Sequence, residues 1–132
     1  MLYKFSPFIL SFIILILSSC EKAPINGDLD GQWQVVSVDP KPPAILSERL
    51  YYNFSLHVCQ LTYYEGYFMS GNLKFDGMVV EIDFPFVESE RDVLILHQYG
   101  IYDNPVRLTV ESLNAKQLIL SDAVHRIVLR KF

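Results

Sequence analysis

Cysteine is scarce in this chain of 132 residues: only Cys20 and Cys59 occur, and the first sits at the end of an apolar run. A fold stapled by several disulfides is thereby excluded, as is a zinc site built from a set of thiolates. Positive charge is also short, with 11 Lys and Arg against 15 Asp and Glu and a net charge of −4. A surface of that sign does not bind nucleic acid or anionic lipid by charge. No glycine-rich phosphate loop occurs, and no serine or cysteine occupies a Gly-x-Ser-x-Gly elbow. Histidine is limited to His57, His97 and His125, well separated along the chain. The expectation is a protein that is not an enzyme and has no catalytic residues, no metal and no cofactor. The one long apolar run, residues 5–17, is too short for a transmembrane helix, which needs about 20 residues.

What is present begins with that run. Lys4 supplies a charged start, residues 5–17 an apolar stretch, and Leu17-Ser18-Ser19-Cys20 a small-residue ending, the three parts of a secretory signal peptide. The ending resembles the lipobox of bacterial lipoproteins. That resemblance implies removal of residues 1–19 and acylation of Cys20, which would hold the protein to a membrane, in the first instance the outer membrane of a Gram-negative cell. Two or three acyl chains anchor firmly, since each buried methylene contributes about 0.8 kcal/mol. Residues 20–28 then read as a polar tether, with Pro24 and Gly27 among them. The mature chain of 113 residues loses only Lys4 among its charged groups, so its net charge becomes −5. Its size is that of one domain, residues 29–132, expected as a monomer. Cys59 is left without a disulfide partner and reads as a small buried apolar residue.

After the tether the hydrophobic pattern has a period of two, the mark of strands with one buried face. Trp33, Val35 and Ser37 share a face of a first strand that ends at Pro40-Lys41-Pro42-Pro43. A long second strand follows, with Tyr52, Phe54, Leu56 and Val58 alternating against Asn53, Ser55, His57 and Cys59. Glu65-Gly66 turns the chain into Tyr67, Met69, Leu73 and Phe75, and Asp76-Gly77 marks a hairpin into Met78, Val80, Ile82 and Phe84. Ser89, Glu90 and Asp92 look like a helix start and Gly100 like its stop, so residues 89–99 read as a short helix. The unbroken apolar run 93–96 would also suit a buried strand. Three more strands carry Val106, Leu108 and Val110, then Leu118 and Leu120, then residues 124–132. Seven or eight antiparallel strands in sequence fit an all-β up-and-down barrel or a strongly curled meander. Such a barrel has an interior just wide enough for packed side chains or one small ligand.

Gly31-Gln32-Trp33 at the first strand matches the Gly-x-Trp that opens lipocalin barrels. The segments Leu118-Ile119-Leu120, Tyr99-Gly100-Ile101 and residues 127–132 are similar to the lipocalin-like domains of small bacterial lipoproteins. The second lipocalin signature, Thr-Asp-Tyr, is absent, with only Tyr102-Asp103 near its place. The resemblance implies that Gly31 and Trp33 close one end of the barrel and that an arginine of the last strand, Arg126 or Arg130, lies over the tryptophan in a cation–π contact. It also implies a small apolar or amphipathic ligand within the barrel. Its lining would be Trp33, Val35, Tyr52, Phe54, Leu56, Leu73, Phe75, Val80, Ile82, Leu108 and Val110.

Three other groups bear on function. His57 and Cys59, two apart, would share a strand face and could offer two metal ligands, but no third is evident, and an outward polar face is the plainer reading. Glu81 and Asp83 likewise share a face and read as a solvated one. The aromatic cluster Tyr51, Tyr52, Phe54, Tyr63, Tyr64, Tyr67 and Phe68 is dense enough to offer a contact surface for another envelope protein, the alternative to a ligand inside the barrel.

Overall fold

The computed structural model describes residues 25–132, apart from residue 47 and residues 64–65. The signal peptide, Cys20 and the start of the tether lie outside the described residues, as do Tyr64 and Glu65. A 3-10 turn, Gly27–Leu29, leads into β1 (Gly31–Asp39), followed by β2 (Leu50–Ser55), β3 (Val58–Tyr63), β4 (Gly66–Phe75) and β5 (Val79–Asp83). Helix α1 (Glu90–Gln98) intervenes before β6 (Val106–Leu113), β7 (Gln117–Ser121) and β8 (Arg126–Lys131). Each strand pairs antiparallel with the next, and β8 returns to β1, so the sheet closes into an eight-stranded barrel. Closure removes the free edges that an open meander of this length would expose.

The period-two pattern places one side chain in two inside. Trp33, Tyr52, Phe54, Leu61, Leu73, Val80, Ile82, Leu108, Leu120, Ile127 and Leu129 form one buried cluster. Val35, Phe75 and Val110 are half-buried against it. Gly71 faces inward where a Cβ would lie 2.6 Å from Ile82 Cγ2 and 2.9 Å from the Phe84 ring, so its missing side chain makes room for Phe84.

The strand expected over residues 52–59 is a hairpin instead. Ser55 pairs with Val58, and Leu56 and His57 form the two-residue turn between β2 and β3. Crossing that turn shifts the alternation by one residue. Leu56 is therefore an exposed turn tip, not a lining residue, Val58 faces out, and Cys59 is fully buried in the core. The Asp76-Gly77 hairpin forms as expected, but only Gly77 has positive φ. The Asp76 carboxylate instead accepts the backbone N–H of Met78 and of Val79, each at 2.8 Å, which holds its pKa below the ordinary carboxylate value.

Helix α1 starts and stops at the residues its sequence indicates. Ser89 Oγ accepts the Asp92 N–H at 3.2 Å, and Gly100 (φ +82°) ends it with the N–H of Ile101 donating to the Leu96 carbonyl. This is the left-handed glycine cap expected at a helix C-terminus. A Cβ on Gly100 would overlap Ile127 Cγ1 and lie 2.7 Å from Cδ1, so the cap also needs glycine for its close approach to the barrel wall. No helix among the described residues is long and apolar enough to cross a membrane.

Candidate functional site

The alternating strand directions give the barrel two distinct ends. At one, β1 begins and β8 ends, and Trp33 is fully buried. Its indole Nε1 donates to the Leu29 carbonyl at 2.8 Å, which fixes the 3-10 turn across the opening. The cation above the ring is Lys131, whose Nζ lies 4.5 Å from the ring centroid and also donates to the Asp28 and Asp30 carbonyls. Neither arginine takes that place. Arg126 pairs with Glu111 at 3.0 Å, and Arg130 donates to Gln34 Oε1 at 2.8 and 3.1 Å, both on the outer wall. The reason is parity: Ile127 and Leu129 point inward, so 131 does too, while 126 and 130 point out.

The other end is closed by a plug. Ile95, Leu96, Tyr99 and Ile101 are buried there. Tyr99 donates its hydroxyl to the Thr62 carbonyl at 2.7 Å and stacks on Phe68, while Tyr52 from inside the barrel donates to the Tyr99 carbonyl. Burial pushes the pKa of both phenols up, so both remain protonated donors. Asn104 ties the same connection down by exchanging two 2.8 Å hydrogen bonds with the Phe84 backbone. His97, Tyr102 and His125 form a three-ring stack with centroid spacings of 4.1 and 3.9 Å, joining α1 to the β7–β8 turn. Asp122 holds His125 Nδ1 at 3.1 Å.

Between these ends the barrel is filled. Trp33, Tyr52, Leu61, Val80, Ile82, Leu108, Leu120 and Leu129 present no surface even to a water-sized sphere, so they border no internal hollow. One opening lies at the side. β1 pairs with β8 as far as Asp39 but with β2 only as far as Gln34. Above that point the β1–β8 register shifts between Val35 and Ser37, and β1 ends at Asp39, well before β2 begins at Leu50. The seam opens a cleft of about 450 Å³, within the usual range for small-molecule sites of about 300–1,000 Å³. Val35, Val38, Pro42, Ala44 and Leu46 make it apolar, and Ser37, Lys41 and Gln98 supply the polar groups. Gln98 clamps the outer lip, donating to the Pro43 carbonyl at 2.6 Å and accepting from Ile45 N at 3.4 Å. Lys41 makes no salt bridge among the described residues. A hollow of about 540 Å³ on the outer wall is lined by Asn72, Lys74, Glu81, Asp83 and Pro105, mostly polar side chains of a solvated face.

Of the residues expected to line a ligand inside the barrel, Trp33, Tyr52, Phe54, Leu73, Val80, Ile82 and Leu108 meet in the filled core, and only Val35 reaches the cleft. Val38, Lys41, Leu46 and Gln98 carried no sequence signal of their own. The one hint was length, since a β1–β2 connection of ten residues exceeds the usual two to five of a hairpin. His57, on the β2–β3 turn, and the inward Cys59 do not share a face, and burial pushes the Cys59 thiol pKa far up, so the thiol stays protonated. Among the described residues no group of three metal-ligating side chains occurs. Glu81 pairs with Arg107 at 2.6 Å on the outer wall. The aromatic cluster is mostly internal or packed down: Tyr51 is buried against Phe132, and Tyr67 alone of its described members is exposed.

Two solved structures share the architecture. A lipocalin-like protein from Bacteroides uniformis has a TM-score of 0.63 at 21% identity, spanning 80% of this chain and 100% of that one. An uncharacterized protein from Bacteroides eggerthii has a TM-score of 0.59 at 17% identity, spanning 78% of this chain and 98% of that one. No curated protein matches the chain. The family model of the lipocalin-like domain matches residues 15–132, and the chain belongs to that family.

Proposed function

We propose that this is an exported, lipid-anchored protein of the cell envelope that binds a small amphipathic molecule at the β1–β2 cleft rather than in the centre of its barrel. The observation that carries the binding reading is the early parting of β1 from β2, which opens an apolar cleft of about 450 Å³ beside a filled interior. Lys41, which makes no salt bridge among the described residues, lies beside Val38, Pro42 and Leu46 and suits a ligand with an apolar body and an anionic head. The anchoring reading is supported by the lipobox at residues 17–20.

Native mass spectrometry of the gently purified protein, followed by titration with dodecanoate, tests the binding. One carboxylate amphiphile should bind per chain. Leu46→Trp, which fills the cleft, should abolish binding without lowering the thermal midpoint. Undiminished binding by that variant would place the ligand elsewhere.

A further inference from the structure

Leu56 is the one described residue other than glycine with positive φ (+54°), and it is 58% exposed. Glycine or asparagine would occupy a left-handed turn position with less steric strain, and a polar side chain would be better hydrated there. A large apolar residue held at such a tip is disfavoured on both counts, which calls for a contact that stabilises it. It is not isolated. Met78, on the β4–β5 turn at the same end, is 74% exposed. Ile25 is 55% exposed and sits beside the Leu56 turn, because Asn26 Nδ2 donates to the Leu56 carbonyl at 2.9 Å. All three project from the end closed by Trp33, the end at which the described chain begins.

We propose that this end is a bilayer-seating surface, in which Ile25, Leu56 and Met78 enter the interfacial layer of the membrane to which Cys20 is anchored. The proposal rests on the reading of Cys20 as acylated. Its geometry follows from chain length: Cys20 precedes Ile25 by five residues, which span at most about 17 Å when extended. An anchor at Cys20 therefore keeps the bilayer within reach of this end. Charge does not supply the attraction, since exposed Asp28 and Asp76 offset Lys116. Seating is by apolar insertion and is insensitive to salt. With this end down, the plug and the cleft face away from the membrane.

The test uses the full chain, acylated in a bacterial host and reconstituted in phosphatidylcholine vesicles. An environment-sensitive fluorophore is placed on His57→Cys, beside Leu56, or on Val93→Cys in α1 at the far end. The buried Cys59 thiol does not compete for label. The expected result is a several-fold brighter, blue-shifted dye at 57, quenched by nitroxide-bearing lipid, and a water-like dye at 93. Adding Leu56→Asp and Met78→Asp should return position 57 to the water-like signal while the protein still floats with the vesicles. Vesicle-bound protein with equally wet dyes at 57 and 93 overturns the seating and leaves the anchor standing. A change at 57 that follows protein density rather than lipid means that a second copy covers this end, which also overturns it. Protein that neither floats nor gains acyl mass at Cys20 overturns the anchor and the seating together.

Discussion

The two ends of the barrel are closed in different ways. At the Trp33 end one indole, one lysine and a three-residue turn seal the opening, and the strands are joined by short turns. At the other end the seal is a separate segment, residues 84–105, which folds a helix and inserts Tyr99 against Tyr52 and Phe68. The first seal is part of the wall, whereas the second is laid on the wall and tied down by Asn104, Gln98 and the His97–Tyr102–His125 stack. Function in this fold should gather where closure depends on separate segments, because such segments can shift while the hydrogen-bonded cylinder stays intact. The cleft lies at that end, between the loop and the seam of β1.

The largest expected effect strikes the wall-built seal. Trp33→Ala removes the fully buried ring under Lys131 and should destabilise the fold by about 3–5 kcal/mol in thermal or urea unfolding. Next comes the plug. Gly100→Ala forces a Cβ into Ile127 at φ +82° and should cost about 1–3 kcal/mol. Hydrogen exchange should show that loss concentrated in α1 and residues 99–105, with β3 and β7 still protected. If both variants loosened all amides equally, the two seals would not be distinct. Lys131→Met should lose about 0.5–2 kcal/mol of cation–π stabilisation, against about 0.5 or less for Arg126→Met or Arg130→Met.

The smallest effect concerns pH. Burial, and secondarily His125, holds the His97 pKa below its ordinary 6.5. The unfolded chain therefore takes up that proton first, so the stability His97 contributes is present above 6.5 and is lost as pH falls. Asp122 acts in the same sense at lower pH. Its partial burial raises the pKa, but the N–H groups of Val124 and His125 and the His125 ring outweigh that and hold it below 3.8. Stability should therefore decline as pH falls below the ordinary histidine value of 6.5, and His97→Phe, which keeps a ring on Tyr102, should flatten that slope. A slope unchanged in the variant would remove His97 from the account.

Much of the architecture was legible in the residues. The alternation of Val80, Ile82, Leu108, Leu118 and Leu120 gives inward faces, and Ser89 with Gly100 brackets the helix because caps are local chemistry. The errors also have physical causes. Leu56-His57 turns the chain without the glycine or asparagine that announces such a turn, so unbroken alternation sends Cys59 outward, whereas its lack of a disulfide partner reads it as a small buried apolar residue, which it is. The family resemblance points to an arginine over Trp33, whereas the parity of Ile127 and Leu129 puts Lys131 there. Beyond the length of the β1–β2 connection, nothing local marks the cleft, because it depends on where β1 stops pairing with β2, a long-range fact of register.

The most direct test of the central claim is an amide chemical-shift titration of the protein with dodecanoate. The account predicts saturable shifts at residues 35–46 and at Gln98, with Leu61, Leu120 and Trp33 unmoved. Shifts centred on those inner-wall residues, or no saturable shifts at all, would contradict it.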